Sequence, residues 1–302
     1  KYYAAHTGRF GGDDKINLQN LPSRGVNGKK LKRSMIAPKG YVIIDCDSSQ
    51  IEARVLAWLS GQDDLVQAFA DGEDVYKQMA AIIYEVAVED VTKEQRFVGK
   101  TTILGAGYGM GAIRFVDQLK TFGFEMGIDE ARRVINVYRE TYYRIVGLWN
   151  DAKFTIQNLV DGNLTELGRE GVLEVCPELF AIKLPSGLLM RYDELSAEQG
   201  ERGSEYTYKT RKGRTRLYGG KLIENVCQAI ARCVIAEQML KISKRYKVVL
   251  TVHDSVACCV LAEQEVEARA YMEECMRWLP VWAKGLPIDC ESGTGQAYGD
   301  CE

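Results

Sequence analysis

Apolar residues along this chain follow two periods. The runs Tyr41-Val-Ile-Ile-Asp-Cys-Asp47 and Val248-Val-Leu-Thr-Val-His-Asp254 are β-branched and too short for a helix, which predicts two buried strands. Between them the period is helical. Ile51, Val55, Leu56 and Leu59 mark a helix that stops at Gly61, and further helices are predicted near 74–86, 93–104, 112–122, 129–141 and 144–161. From Leu164 to Tyr218 the pattern turns β-like and loop-like, with Pro185-Ser-Gly187 as a turn and a basic stretch that reads as a hairpin or loop. Leu222 to Lys241 is an amphipathic helix, followed by a hairpin over Val248 to Leu261 and a helix from about 263 to 279. The first forty residues, polar and turn-rich, read as irregular chain over a surface. A strand, a helical block and then strands require the two carboxylate-bearing strands to pair across an inserted domain, so the fold class predicted is α+β.

Composition narrows the class. With 302 residues and 46% hydrophobic content the chain can bury a large core. Its apolar runs fall short of the roughly 20 residues a membrane span needs, and no charged-then-apolar leader opens it, so the expectation is a soluble cytoplasmic protein with no membrane partner. Nine cysteines show no Cys-x-x-Cys pair and no framework spacing, which reads as free thiols; Cys258 and Cys259 should face opposite sides of a strand. Two histidines, His6 and His253, exclude histidine-rich metal chemistry. The net charge of -3 does not advertise nucleic-acid binding, but Arg24 to Arg33 carries five basic residues and no acid, and Arg202 to Arg216 carries six against Glu205 alone.

Candidate chemistry begins with Asp47 and Asp254. A carboxylate at the end of a buried strand is costly unless something positive meets it, and two of them suggest a shared divalent metal site of the kind used in phosphoryl and nucleotidyl transfer. Ser49-Gln-Ile-Glu52 has the form of a helix capping box, which would explain Glu52 by helix entry alone. Gly99-Lys100-Thr101 resembles the tail of a phosphate-binding loop, but Glu94 stands where its first glycine should be. Gly107-Tyr-Gly-Met-Gly-Ala112 follows a charged helical segment rather than a strand, against a dinucleotide fold. Arg96, Lys100, Leu104 and Tyr108, at four-residue steps, form a stripe on one helical face. It is either a solvated edge or, opposite a metal, a triphosphate clamp with a stacking platform.

In order and spacing, Asp47-Ser-Ser-Gln-Ile-Glu-Ala-Arg54, Arg96-x3-Lys100-x7-Tyr108-Gly109 and Val252-His253-Asp254 resemble the polymerase motifs of family A DNA polymerases, the bacterial DNA polymerase I group. Thr7-Gly-Arg9-Phe with Asn17-Leu-Gln-Asn-Leu-Pro22 is similar to the segment before the first motif, and Tyr218-Gly-Gly-Lys-Leu-Ile-Glu-Asn-Val-Cys-Gln228 to bacteriophage members. The resemblance implies a right-hand fold with an antiparallel palm sheet. The palm spans 1–60 and 219–302, and mostly helical fingers span 61–218 with a basic loop or hairpin insertion. It implies template-directed addition of deoxynucleoside triphosphates to a primer 3′ end, in a phage's bacterial host cytoplasm. Asp47, Asp254 and the Ser48 carbonyl would hold two magnesium ions. Arg96 and Lys100 would hold the triphosphate, with Lys100 as proton donor to pyrophosphate. Leu104, Tyr108, Gln50 and Glu52 would meet the nucleotide, Glu52 against the 2′ hydroxyl. Arg9, Asn20, Gln228 and His253 would touch primer-template DNA.

Three departures stand against the family pattern. Ser255 occupies a position where a glutamate is common, Leu104 replaces an aromatic residue, and the chain begins inside the palm. The thumb and exonuclease domains are therefore expected to be absent, with a separate polypeptide as a possible source. Two other readings stay open: a related single-subunit RNA polymerase, which Glu52 opposes, and a non-catalytic nucleic-acid-binding or assembly module, which the acids and cations oppose.

Overall fold

A computed structural model of the chain describes residues 3–11, 18–20, 30–200 and 203–301. In chain order the strands and helices are β1 (Tyr3–Ala4), β2 (Phe10–Gly11), β3 (Tyr41–Ser48), α1 (Ile51–Ser60), α2 (Asp63–Ala70), α3 (Val75–Tyr84), α4 (Lys93–Ala106), α5 (Ala112–Thr121), α6 (Ile128–Thr141) and α7 (Tyr143–Asp161). There follow β4 (Glu174–Cys176), β5 (Ala181–Lys183), β6 (Leu189–Arg191), β7 (Ser196–Gly200), β8 (Gly203–Thr210), β9 (Gly213–Leu217), α8 (Gly219–Ile242), β10 (Val248–Val252), β11 (Ser255–Leu261), α9 (Glu265–Arg277) and β12 (Cys290–Gly295). The helices predicted from the period of the sequence are all present within a few residues. None is long and apolar enough to cross a membrane among the described residues. The fold is α+β, with antiparallel sheets throughout.

Two compact units divide the chain. One comprises 1–51 with 228–302, the other 52–227, so the divisions fall inside α1 and α8 rather than at the expected 60 and 218.

The first unit is built on a four-stranded antiparallel sheet in the order β10-β11-β3-β12. Alternation along β3 sends Ile44 and Cys46 to one face, where they pack with Val256, Cys258 and Val260 of β11, Ile235 and Ile242 of α8, and Met272 and Met276 of α9. Ile43 points the other way, toward Ala37, Ala257, Tyr298 and Cys301. Cys258 and Cys259 do face opposite sides, and all nine cysteines are free thiols. One expectation changes. The two carboxylate strands do not pair directly: β11, the strand after Asp254, lies between β10 and β3. The reason is burial, since β11 is buried along most of its length while β10 is half-exposed and takes the edge despite its β-branched run.

The second unit is a helical block with two small sheets. Helix α4 opens with a complete capping box: Gln95 N–H donates to Thr92 Oγ1 at 3.2 Å and Thr92 N–H donates to Gln95 Oε1 at 2.9 Å. It packs along α3, with α5 and α6 beside it. Gly99 makes the α3–α4 approach possible. A Cβ there would lie 2.2 Å from the Tyr76 carbonyl oxygen and 3.0 Å from the Ala80 nitrogen. The Gly99-Lys100-Thr101 triplet is thus helix interior, as the missing first glycine of a phosphate loop indicated. Strands β7, β8 and β9 form a meander, and the β8–β9 hairpin carries Arg211 and Lys212 at its tip.

Gly99→Ala sets two effects against each other. Helix propensity favours alanine by about 1 kcal/mol, whereas forcing two backbones apart costs ~1–3 kcal/mol or more. The overlap is with backbone atoms, so overpacking should win and the thermal unfolding midpoint should fall. A midpoint equal to or above wild type would contradict the contact.

Candidate active site

Asp47 is the penultimate residue of β3, an interior strand of the first unit's sheet. Register places Ser255 of β11 on one side of it and Glu291 of β12 on the other. Asp254 arrives through the β10–β11 hairpin, whose two turn residues are His253 and Asp254. His253 takes the left-handed backbone (φ 53°) that such short turns require at their first position, and its side chain is exposed. Ser48 N–H donates to the Asp254 carbonyl at 3.1 Å, tying the hairpin tip to the end of β3. The sheet therefore brings Asp47 and Asp254 together, as their strand-end positions suggested.

Electrostatics at this sheet end are unfavourable to ionised carboxyls. Asp47 is pushed up to about 7, first by burial and then by the charges of Asp254, Asp45 and Glu291, with Lys32 pulling the other way. Its side chain is nonetheless exposed to solvent, so the loss of water is only partial and the neighbouring acids share in the shift. Asp254 is also raised by burial, against its own backbone hydrogen bond and the nearby Arg9 and His253. The buried hydroxyls of Ser48 and Ser255 have no hydrogen-bond partner among the described residues. Raised carboxyls, orphaned hydroxyls and backbone carbonyls make an all-oxygen donor set, which fits a hard divalent cation. Among the described residues no three His, Cys, Asp or Glu side chains are grouped closely enough to hold a metal ion.

The segment with Arg9 is anchored from α8. Arg232 Nε–H donates to the Gly8 carbonyl at 3.0 Å, and the same guanidinium lies 5.3 Å from the centre of the Phe10 ring. Gln228 is half-buried on α8, and Gln50 is exposed with a left-handed φ of 48°. Asn17, Pro22, the side chain of Asn20, Arg24 and Arg202 lie outside the described residues.

In the second unit, α4 carries the predicted stripe. Arg96 Nε sits 2.6 Å from Asp74 Oδ2, and Asp74 also caps α3 by accepting from Lys77 N–H at 3.1 Å. Burial works to raise the Asp74 carboxyl, but the Arg96 and Lys77 hydrogen bonds outweigh it and hold the carboxyl below its ordinary value. Arg96 and Lys100 both lie over the Tyr76 ring, at 5.4 and 5.7 Å from its centre. Thus Arg96 is not a bare cation: a carboxylate and an aromatic face orient it. Leu104 is 40% exposed on the same face. Tyr108 is half-buried just past the helix, and its hydroxyl is raised well above the ordinary range by burial, then by Cys227, Glu52, Tyr138 and Glu224. Glu52 therefore lies close enough to Tyr108 to be felt electrostatically. Helix α1 starts at Ile51, one residue later than a Ser49–Glu52 capping box requires, which weakens the purely local reading of Glu52.

Sequence reasoning missed one feature of this unit. A cleft of about 750 Å³ opens beside Leu104 and Tyr108, lined also by Tyr218 and by Arg114, Arg132 and Arg139. Arg132 and Arg139 lie two turns apart on α6, a signal hidden by the mostly apolar residues between them and by the adjacent Arg133. The basic stretch, by contrast, is less cationic than it reads. Lys209 pairs with Glu194 at 2.6 Å, Arg214 lies 3.9 Å from the same acid, and Arg216 pairs with Glu205. Glu194 precedes β7 and is brought to the meander by pairing that a linear charge count does not contain.

The Asp47 shift predicts a pH profile. Its value in the fold lies above its ordinary 3.8, so its contribution to stability is fully present below that value and is lost as pH rises through about 7. Thermal melts in chelator should show stability declining across this window, and Asp47→Asn should flatten that decline. Superimposable pH profiles for mutant and wild type would refute the crowding of charge at this site.

Comparison with known proteins supplies the family. The model for DNA polymerase family A matches residues 1–300. The DNA polymerase of Bacillus phage SP02 is 29% identical over 98% of this chain and 51% of its own length. The thermostable DNA polymerase I of Thermus thermophilus is 28% identical over 98% of this chain and 31% of its own length. The chain thus spans from about a third to about half of these relatives. Among solved structures, the POL domain of Pol1 from M. smegmatis, in complex with DNA primer-template and dNTP, shares the fold with a TM-score of 0.70 at 22% identity, covering 99% of this chain and 47% of that one. With the match running almost from end to end, the chain belongs to DNA polymerase family A.

Proposed function

We propose that this chain carries the catalytic core for template-directed DNA synthesis, extending a primer 3′ end with deoxynucleoside triphosphates. The observation that supports this most is the meeting of Asp47 and Asp254 at one end of the sheet, with both carboxyls raised and oxygen donors around them. Asp47, Asp254 and the Ser48 carbonyl would hold the ions. Magnesium bound there supplies the charge that favours attack of the primer 3′ oxygen on the α-phosphate and departure of pyrophosphate.

The remaining roles belong to the chain's own side chains. Arg96 and Lys100 hold the triphosphate. The pairing of Arg96 with Asp74 and Tyr76 keeps its guanidinium in place before the nucleotide arrives. Lys100 gives a proton to the leaving pyrophosphate. Leu104 packs on the sugar, Glu52 and Gln50 bound the nucleotide site, and Glu52 excludes a 2′ hydroxyl, which favours the DNA reading over the RNA one. Tyr108 and Tyr218, with Arg114, Arg132 and Arg139, suit an unpaired template nucleotide through stacking and phosphate contacts. Arg9, Asn20, Gln228 and His253 contact the primer-template duplex.

Primer extension with magnesium tests the reading. Asp47→Asn and Asp254→Asn each remove charge from a clamp worth several kcal/mol, so each should slow extension by about 100-fold or more. Circular dichroism should show both variants folded. Turnover close to wild type in either one would remove the central assignment.

A further inference from the structure

The absence of a third acid at Ser255 directs attention to β12. Glu291 stands directly across from Asp47 on that strand, as Ser255 does on β11, so the three side chains share one face of the sheet. Directly opposed like charges destabilise a sheet. Here Asp47 faces not only Glu291 but also the charges of Asp45 and Asp254, with Lys32 pulling the other way. On the other side of Asp47 from Glu291, Ser255 is 4% exposed, with a hydroxyl that finds no partner among the described residues. A concentration of like charge beside an unsatisfied buried hydroxyl is the environment of a hydrated cation.

We propose that Glu291 is the third carboxylate of this cation site, acting through water bound to the ion rather than by direct ligation, with the Ser255 hydroxyl ordering the same water. Outer contact of this kind accords with the lack, among the described residues, of a three-carboxylate group close enough to hold the ion directly. It also accounts for the serine. A serine at 255 brings a hydroxyl and no charge, and the charge that a glutamate would have brought comes from the opposite neighbour of Asp47. The inference rests on the proposed cation site at Asp47 and Asp254.

The test is Mn2+ binding to the intact chain, followed by the electron paramagnetic resonance signal of free Mn2+, together with melting points in chelator. Glu291→Gln should weaken Mn2+ binding by about tenfold or more, the usual consequence of losing an outer partner. It should also raise the metal-free melting point, because one of the opposed charges is gone. Ser255→Ala, a small change that preserves packing, should weaken binding in the same direction and decides the matter if Glu291→Gln folds poorly. Glu263→Gln, an exposed acid beyond the opposite end of β3, should change neither quantity. Wild-type affinity in both Glu291→Gln and Ser255→Ala, with binding still lost in Asp47→Asn, would overturn this inference alone. No Asp47-dependent binding in the wild-type chain would overturn the proposed cation site and this inference with it.

Discussion

Pairing of β3 with β11 on one side and β12 on the other is the interaction on which the site depends. It collects acids from widely separated parts of the chain at one end of one sheet: Asp45 and Asp47 from β3, Asp254 from the adjoining turn and Glu291 from β12. Hydrophobic burial drives that pairing. Ile44, Cys46, Val256 and Cys258 bury one face against α8 and α9, and a slip of one residue would turn this row to the other side. Core packing therefore holds like charges together against their mutual repulsion. The resulting local strain in charge, visible in the raised Asp47 carboxyl, is what a divalent cation would relieve.

The second unit meets an analogous demand with permanent partners. Arg96 and Lys100 sit on an exposed helix face, where two cations one turn apart would repel, and the Tyr76 ring and Asp74 carboxylate lie beneath them. Gly99 allows this by bringing α4 onto the backbone of α3, which carries Tyr76. The glycine and the cations thus form one device: close helix contact supplies the aromatic and acidic groups that orient charge toward solvent. A nucleotide triphosphate would compete with Asp74 for Arg96 rather than meet an unordered side chain.

Much of this was legible in the sequence because it is local. The 3.6-residue period marked α3 to α8 within a few residues, and β-branched runs ending in Asp marked both strands of the candidate cation site. What sequence could not show depended on register. That β11 rather than β10 lies beside β3 follows from which hairpin strand is more deeply buried, and Glu291 became relevant only when β12 placed it across from Asp47. Glu194 and Asp74 were likewise invisible as partners of the basic residues they meet, because neither lies within one helical turn of them. Arg132 and Arg139 carried a helical spacing but no local reason to single them out from the other charges of α6.

Crystals of the chain grown or soaked with Mn2+ and measured at an energy where manganese scatters anomalously test the central claim most directly. An anomalous peak between the carboxyl groups of Asp47 and Asp254 is the predicted result. Well-ordered carboxyls with no peak between them, and manganese found only elsewhere on the protein, would contradict it.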